Sequence, residues 1–492
     1  MVSVLVNVVK FDALKQIVGK ENISTSTAEL EAYSFVSTSQ DLPRRRPDVV
    51  VLPETTDQIA NILKYANRNG IPVLVRGVGS GFMGENIPLK GGILIDITCM
   101  SKILEIDEKN MVAIVEGGCT VLKLFDELDK RELAFPVRTW FTPNMTIAGL
   151  VANNGTGDYS CTFGRVGENI EGLEILLVNG EIVRLGSWAI PNSYGPWTRF
   201  AGGPDLMGLF IGSIGTLGII TKVAIRLINK RKSIWYQTFG WPREEAPAIS
   251  RAMYELQRYG VSNMSIHNSW TYRGPANAGV FEWPTNLYFS LNIMQTSEDE
   301  EELKVKVKRI NNICRENKGV ELGEKICKMC QGPPYYLMNL GQFYNYKRIK
   351  GVAKKAVQTE IHEGLGFMLF YHCCPTLRFN EYWDIFEEIT RKYGFLDERR
   401  GPYLYGWFFP PAVINPFPTF AYKTEDPAEV ERARQAHRDM NRVLLVEHGF
   451  VPYQIGSWHP REYLQAMGST YELLKKIKKL LDPKDILNPG QI

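Results

Sequence analysis

Residues 75–84 read VRGVGSGFMG, four glycines in ten positions, directly after an apolar run at 71–75. Glycine reaches positive φ without steric cost, so a string of glycines can aim successive backbone N–H groups at one point and make an anion nest. With no Cβ in the way, a phosphate or pyrophosphate can come close. An ordinary glycine-rich turn between strands is the alternative, and these residues alone do not separate the two. The flanks constrain the fold further. Residues 49–52 form a buried-strand pattern, and Thr55 and Gln58 are spaced as a capping box. Ile59, Ile62, Leu63 and Ala66 share one helical face, and Gly70 stands at the C-terminal left-handed position. The loop is therefore carried by a strand at the end of a β-α-β unit. No helix pattern follows it: Pro88 and Gly91-Gly92 intervene before a strand at 93–97. That order excludes a dinucleotide Rossmann fingerprint, and the lysine and hydroxyl of a P-loop are absent.

At 492 residues the chain is too long for one core, and two domains are expected. A net charge of +3 implies no nucleic-acid partner. No apolar run is long enough to span a bilayer. The start, MVSVLVNVVKFDALKQ, lacks a basic n-region and a cleavage site and reads as a strand or helix lead-in. Eight cysteines make no disulfide framework, so a reduced, cytoplasmic setting is expected.

Beyond the loop, β-like runs at 103–106 and 111–116 precede a helix pattern at 121–133. A second small-residue region, 142–149 and 153–157, is rich in turn formers, hydroxyls and amides. It suits close passage of a flat polar ligand, or simply a loop of capping residues. A hairpin follows, with arms at 170–178 and 181–185 joined by Asn179-Gly180. A third glycine-rich segment, GGPDLMGLFIGSIGTLG at 202–218, enters a strand at 219–228. Residues 231–445 alternate helix-like and strand-like runs. Their aromatic stretch 401–420 reads either as core or as the lining of a substrate cavity. Residues 446–492 return to polar turns, then a basic amphipathic helix at 471–481 with its lysines toward solvent. Arg44-Arg45-Arg46 reads as a solvated cluster, with phosphate binding the sharper alternative. Cys327 and Cys330, lacking a second spaced pair, read as thiols rather than a metal site.

Three glycine-rich segments in this order, with the ending LDPKDILNPG, resemble the vanillyl-alcohol-oxidase/p-cresol-methylhydroxylase flavoprotein superfamily. The pieces that carry the resemblance are VRGVGSGFMG, PNMTIAGLVANNGTG, FGRVGENIEGLEILLVNGEI and GPDLMGLFIGSIGTLGIIT. It implies an α+β fold: a two-subdomain FAD-binding domain at 1–230, an antiparallel-sheet cap domain with helices at 231–445, and a C-terminal return to the FAD domain at 446–492. It also implies FAD. Arg76, Gly77, Val78, Gly79, Ser80, Gly81 and Phe82 would cradle the pyrophosphate. Pro143, Thr146, Ile147, Gly149, Asn153, Gly155 and Thr156 would lie along the flavin and ribityl chain. Gly167, Ile170, Gly218 and Ile220 would hold the adenosine end, and Asn488 in the ending would help complete the site. Some relatives tether FAD through a histidine just after the glycine loop. Here Ser80-Gly81-Phe82 stands there, and His372 reads as packed, so non-covalent FAD is expected.

Two branches of the superfamily then compete. Glycolate and D-lactate dehydrogenase relatives carry Glu-His-Gly near the C-terminus, here Glu447-His448-Gly449, with the histidine near substrate as base or metal ligand. Their upstream histidine pair is missing, since Gly406-Trp407-Phe408-Phe409-Pro410 stands at that place; no metal is expected. The alkylphenol and vanillyl-type enzymes bind a phenolate with two tyrosines and an arginine. The carry-over gives Tyr453, Ser80 and Gln454, which loses two of the three, including the cation. Arg378 and Arg348 are possible carboxylate clamps. The reading is an FAD-dependent dehydrogenase oxidising an alcohol carbon, in a 2-hydroxy acid, with Tyr453, His448 and Glu447 as catalytic candidates. Electrons would pass to a partner such as an iron–sulfur protein, cytochrome or electron-transfer flavoprotein, with oxygen a second outlet. An aromatic or benzylic substrate is the alternative, and a non-catalytic nucleotide-binding subunit the alternative of another class. The oligomeric state stays open.

Overall fold

The computed structural model describes residues 11–34, 45–81, 83–137, 144–157, 159–272, 282–324, 326–327, 365–397, 400–454 and 461–492. Phe82, Pro143, Arg348 and Cys330 lie outside the described residues.

The fold is α+β, built on three sheets. The first has four strands, ordered Ile23–Ser24, Val49–Val51, Ile93–Asp96, Val73–Arg76, and its last three are parallel. The helix Thr56–Asn69 connects two of them. Its first turn is capped by the Thr55 side chain accepting Gln58 N–H at 3.2 Å, and it ends on Gly70 at φ 62°. The face of Ile59, Ile62, Leu63 and Ala66 is fully buried against the sheet, as the 3.6-residue period requires. The second sheet is antiparallel, ordered Ile103–Asp107, Val112–Glu116, Ile219–Arg226, Ile170–Leu176, Ile182–Gly186. Its inner strand Ile170–Leu176 is buried at every position, so both faces are covered. The helix expected over 121–133 stops at Asp129. Glu132 takes a left-handed φ of 55°, and Leu133–Ala134 turns away to pair with Ile228–Asn229.

The third sheet is the cap, nine antiparallel strands drawn from residues 233–452. Four helices, Ala246–Tyr259, Glu300–Glu316, Phe379–Lys392 and Pro427–Asn441, pack with it around one apolar cluster. The aromatic stretch 401–420 packs on both faces of its strands, because side chains alternate across a strand. Phe408 and Phe420 enter the helix-side core, while Phe409 joins a separate small cluster with Cys373 and Tyr453. Met83, Ile87 and Cys161 of the N-terminal part are buried in the cap's own core. The glycine loop is thereby anchored across the seam.

The C-terminus completes the first sheet. Leu487 bridges Val73 in parallel, with Val73 N–H donating to Ile486 O at 2.8 Å and Asn488 N–H to Val73 O at 2.8 Å. The helix Ser469–Leu481 forms as expected, but Lys478 does not face solvent. Its ammonium donates to Thr216 O at 2.9 Å and Leu487 O at 2.8 Å, and pairs with Asp482 at 2.6 Å. The Asp482 side chain has no exposed area. Removing one partner of a buried pair strands the other charge, at about 3 kcal/mol or more. Lys478→Ala should therefore lower the unfolding free energy by about 3 kcal/mol in chemical denaturation. A loss of a few tenths would show the staple to be dispensable.

Candidate active site

The glycine-rich segments meet where the first two sheets and the cap come together. Gly77 lies against the Thr146 side chain, so closely that a Cβ would overlap it. Gly212 N–H donates to Val151 O at 3.1 Å and Ile214 N–H to Ala152 O at 3.0 Å, which lays the third segment on the second. The Asn488 amide closes the ring, donating to Ile214 O at 2.8 Å and Glu85 O at 3.3 Å. Gln491 donates to Gly84 O at 3.2 Å.

Within this frame the backbone N–H groups of Gly77, Val78, Gly79, Ser80 and Gly81 donate to no protein acceptor among the described residues. Gly79 sits at φ 71°. Such a run of free donors fits a pyrophosphate. The Arg76 guanidinium turns back beneath Gly79, stacks over the Tyr33 ring at 5.1 Å and donates to Tyr33 O at 3.3 Å. The Tyr33 hydroxyl in turn donates to Asp96 at 2.7 Å. Arg76 thus supports the loop from below.

The remaining sequence candidates separate. Thr146 immediately precedes the short helix Ile147–Ala152, which carries Ile147 and Gly149, and Asn153 to Thr156 follow it. Both backbone polar groups of Gly167 are taken: its N–H by Asn154 at 3.0 Å, its carbonyl by the Arg199 guanidinium. Ile170 begins the fully buried strand Ile170–Leu176, Ile220 is sheet core, and Gly218 leaves room for Ile175. Asn488 acts as a brace, its amide donors already used on two carbonyls.

Tyr453 comes to the seam. Its hydroxyl donates to Asn154 O at 3.2 Å and Thr156 Oγ1 at 3.3 Å, and burial raises it to about 12. Beside it, Gln454 donates to Asn153 O at 2.8 Å. Three neighbours were not singled out from sequence. The Arg165 guanidinium lies between the rings of Phe409 and Tyr453, 4.2 and 4.3 Å from their centroids. It donates to Tyr453 O at 3.3 Å and Cys373 Sγ at 3.1 Å, and has no carboxylate partner among the described residues. Tyr371 packs edge-on against Tyr453 at 4.9 Å, and its hydroxyl makes no hydrogen bond among the described residues. The Glu85 carboxyl is fully buried behind Gly81, with Oε2 accepting Met83 N–H at 2.9 Å and Oε1 unpartnered. Arg165 lies inside the FGRVGEN piece and Glu85 just past the glycine loop, so position near the motifs was the available signal.

His448 and Glu447 are not brought to this cluster. His448 Nδ1 pairs with Glu381 at 2.9 Å and its ring stacks on Phe450, which belongs to the helix-side core. Glu381, held also by Arg378 at 2.6 Å, is pulled down to about 2 chiefly by that arginine. Arg378 is thereby committed. Glu447 is exposed and paired with Arg442. Neighbouring Cys373 and Cys374 divide the same two sides: Cys373 belongs to the small Tyr453 cluster, while Cys374 is in the helix-side core. His372 is buried with both ring nitrogens engaged, by the Tyr382 hydroxyl at 2.9 Å and Asn441 at 3.0 Å, and burial lowers it to about 4. Its folded pKa lies below its unfolded value, so its contribution to stability is intact above about pH 6.5 and falls by about 1.4 kcal/mol per unit as pH drops toward 4. An imidazole titration by nuclear magnetic resonance should place His372 near 4; a midpoint near 6.5 would contradict its burial.

The nest predicts a second measurement. Gly79→Ala forces a side chain into the left-handed region, costing about 1–2 kcal/mol, so FAD affinity should drop about tenfold with the fold retained. Unchanged affinity would remove the loop from the cofactor site. Comparison with known proteins agrees with the geometry. Residues 47–186 match the FAD binding domain family, and residues 284–492 match the family of FAD linked oxidases, C-terminal domain. The glycolate oxidase subunit GlcD of Bacillus subtilis is 33% identical over 219 residues, 44% of this chain and 44% of that protein, so the match spans less than half its length. A D-lactate dehydrogenase of Archaeoglobus fulgidus is 25% identical over 472 residues, 94% of this chain and 95% of that one. Among solved structures, p-cresol methylhydroxylase with substrate bound superposes with a TM-score of 0.82 at 18% identity, covering 98% of this chain and 95% of that one. A 4-ethylphenol oxidase from Gulosibacter chungangensis gives 0.78 at 17% identity, covering 98% and 95%. The chain belongs to the FAD-linked oxidase family and has the fold of the vanillyl-alcohol-oxidase/p-cresol-methylhydroxylase superfamily.

Proposed function

We propose that this protein is an FAD-dependent dehydrogenase that oxidises an alcohol carbon of a 2-hydroxy acid. The observation that carries the reading is Arg165, a guanidinium with no carboxylate partner among the described residues, held between Phe409 and Tyr453 beside the stretch 153–156. An arginine fixed in this way offers its remaining N–H donors to a substrate carboxylate. The full-length likeness to a D-lactate dehydrogenase supports the same substrate class.

FAD, when bound, supplies the hydride acceptor. The chain's residues do the rest. Gly77 to Gly81 hold the pyrophosphate through their free N–H groups. Tyr453, protonated across the physiological range, donates a hydrogen bond and fixes the 153–156 backbone. Tyr371 presents a hydroxyl with no hydrogen bond among the described residues, and the aromatic rings of Phe409, Tyr453 and Tyr371 exclude water from the seam. Non-covalent attachment is supported by Ser80 at the place of a tethering histidine and by the commitment of both His372 nitrogens. Electrons leave to a partner protein or quinone.

A phenolic substrate is the second reading. The tyrosine and cation that the alignment assigned to Ser80 and Gln454 have counterparts nearby in Tyr371 and Arg165, and the walls are aromatic. Anaerobic bleaching of the flavin by D-lactate, glycolate and 4-hydroxybenzyl alcohol separates the two. The proposal expects bleaching by a hydroxy acid and, for Arg165→Ala, a fall in kcat/KM of about 10²-fold, the size of a lost charged hydrogen bond. Bleaching by the phenol alone would reject it.

A further inference from the structure

The cap sheet has a second face. Leu404, Phe408, Ile414 and Phe420 belong to the core under the helices. Side chains alternate along a strand, so Tyr405, Trp407, Phe409 and Phe417 stand on the opposite face. Phe409 joins the Tyr453 cluster, and Arg165 lies against its ring.

From Arg165 the rings follow one another across the strands. Tyr453 meets Tyr371 edge-on at 4.9 Å between centroids, and Tyr371 meets Phe417 edge-on at 4.4 Å. Phe417 lies opposite Tyr405 in the strand register. Trp407, two residues along from Tyr405, is 6.3 Å from Phe417. Neighbouring strands lie about 4.8 Å apart, so the row runs about 10 Å beyond Tyr371.

This row is not closed packing. Tyr371, Tyr405, Trp407 and Phe417 each keep part of their surface accessible. Yet burial pushes the hydroxyls of Tyr371 and Tyr405 above the ordinary tyrosine range. Residues with accessible surface and desolvated hydroxyls line a recess inside the molecule, not its outer face. An apolar recess that ends on a guanidinium without a carboxylate partner among the described residues is complementary to one kind of ligand: a carboxylate at one end, an aromatic ring at the other. Glycolate and lactate would reach Arg165 and leave the row without an occupant.

We propose that the substrate is an aryl-substituted 2-hydroxy acid, with its carboxylate on Arg165 and its ring along Tyr371, Phe417 and Trp407. This rests on the proposed oxidation of a 2-hydroxy acid and names the side chain that the acid carries. Arg165 fixes the carboxylate beside the stretch 153–156, and the row takes the substituent on the cap side. Burying a phenyl ring there favours the aryl acid over its short counterpart by about 10- to 100-fold. Edge-on rings in the wall add a preference for a flat ring over an alkyl chain.

The test uses the FAD-loaded full chain and has two readouts. The first is calorimetric binding of phenylacetate and acetate, which lack the hydroxyl and are not oxidised. Phenylacetate should bind about 10- to 100-fold more tightly. Arg165→Ala should weaken both acids. Trp407→Ala and Phe417→Leu should each cut the phenylacetate preference by about 10-fold, with bound FAD at the wild-type content. Equal binding of the two acids by wild type, or a preference unaltered in both row variants, would overturn the proposal. Loss of FAD from the row variants would give the row to the cofactor and overturn it as well. The second readout is kcat/KM for anaerobic bleaching by the enantiomers of mandelate and 3-phenyllactate, against D-lactate and glycolate. An aryl acid should lead by about 10-fold or more. A lead for lactate or glycolate would reject the aryl side chain and leave the 2-hydroxy acid reading standing. Bleaching by none of these acids would reject that reading too.

Discussion

Five consecutive backbone N–H groups without a protein acceptor among the described residues are the feature on which this structure turns. A glycine-rich loop left to itself would satisfy those donors by folding inward or by hydration. Here it is held open from three sides. Met83 and Ile87 are buried in the cap's core, the C-terminal Asn488 and Gln491 grip the carbonyls of Glu85 and Gly84, and Gly77 is pressed against Thr146. The loop, the cap and the last residues of the chain therefore form one unit, although they are hundreds of residues apart in sequence. A cofactor phosphate in the nest would satisfy donors that the fold has already paid to orient.

The cap contributes through the two-residue period of its strands. Cys373 and Phe409 face the FAD domain, while Cys374 and Phe408 face the helices. One residue of register decides which side chains meet the flavin stretch and which build the core. Tyr453 and Tyr371 meet beside Arg165, while His448 pairs with Glu381 on the helix side.

Local chemistry was legible in the sequence. The Thr55 cap, the Gly70 stop, the Asn179-Gly180 hairpin and the strand-borne glycine loop all form. Each depends on a few neighbouring residues, and the order of the glycine segments carried the family with them. Partners distant in sequence were not legible. Lys478 reads as one more lysine of a basic helix until Thr216 and Leu487 are placed around it. Glu-His-Gly at 447–449 carries the resemblance, but its pairings, His448 with Glu381 and Glu447 with Arg442, were not legible. Arg165 sits within a quoted motif yet shows its meaning only when Phe409 and Tyr453, more than two hundred residues away, close on its two faces. Glu85 stands just past the glycine loop, but only burial with an orphaned oxygen marks it out.

The central claim is that the open nest holds an FAD without a covalent tether. The direct measurement is the chromophore of the purified full-length chain, by absorbance before and after acid precipitation. The account predicts a yellow protein with about one FAD per chain, all of it released to the acid supernatant. A protein that stays colourless after incubation with FAD would contradict the nest, and flavin retained in the precipitate would contradict the untethered mode of binding.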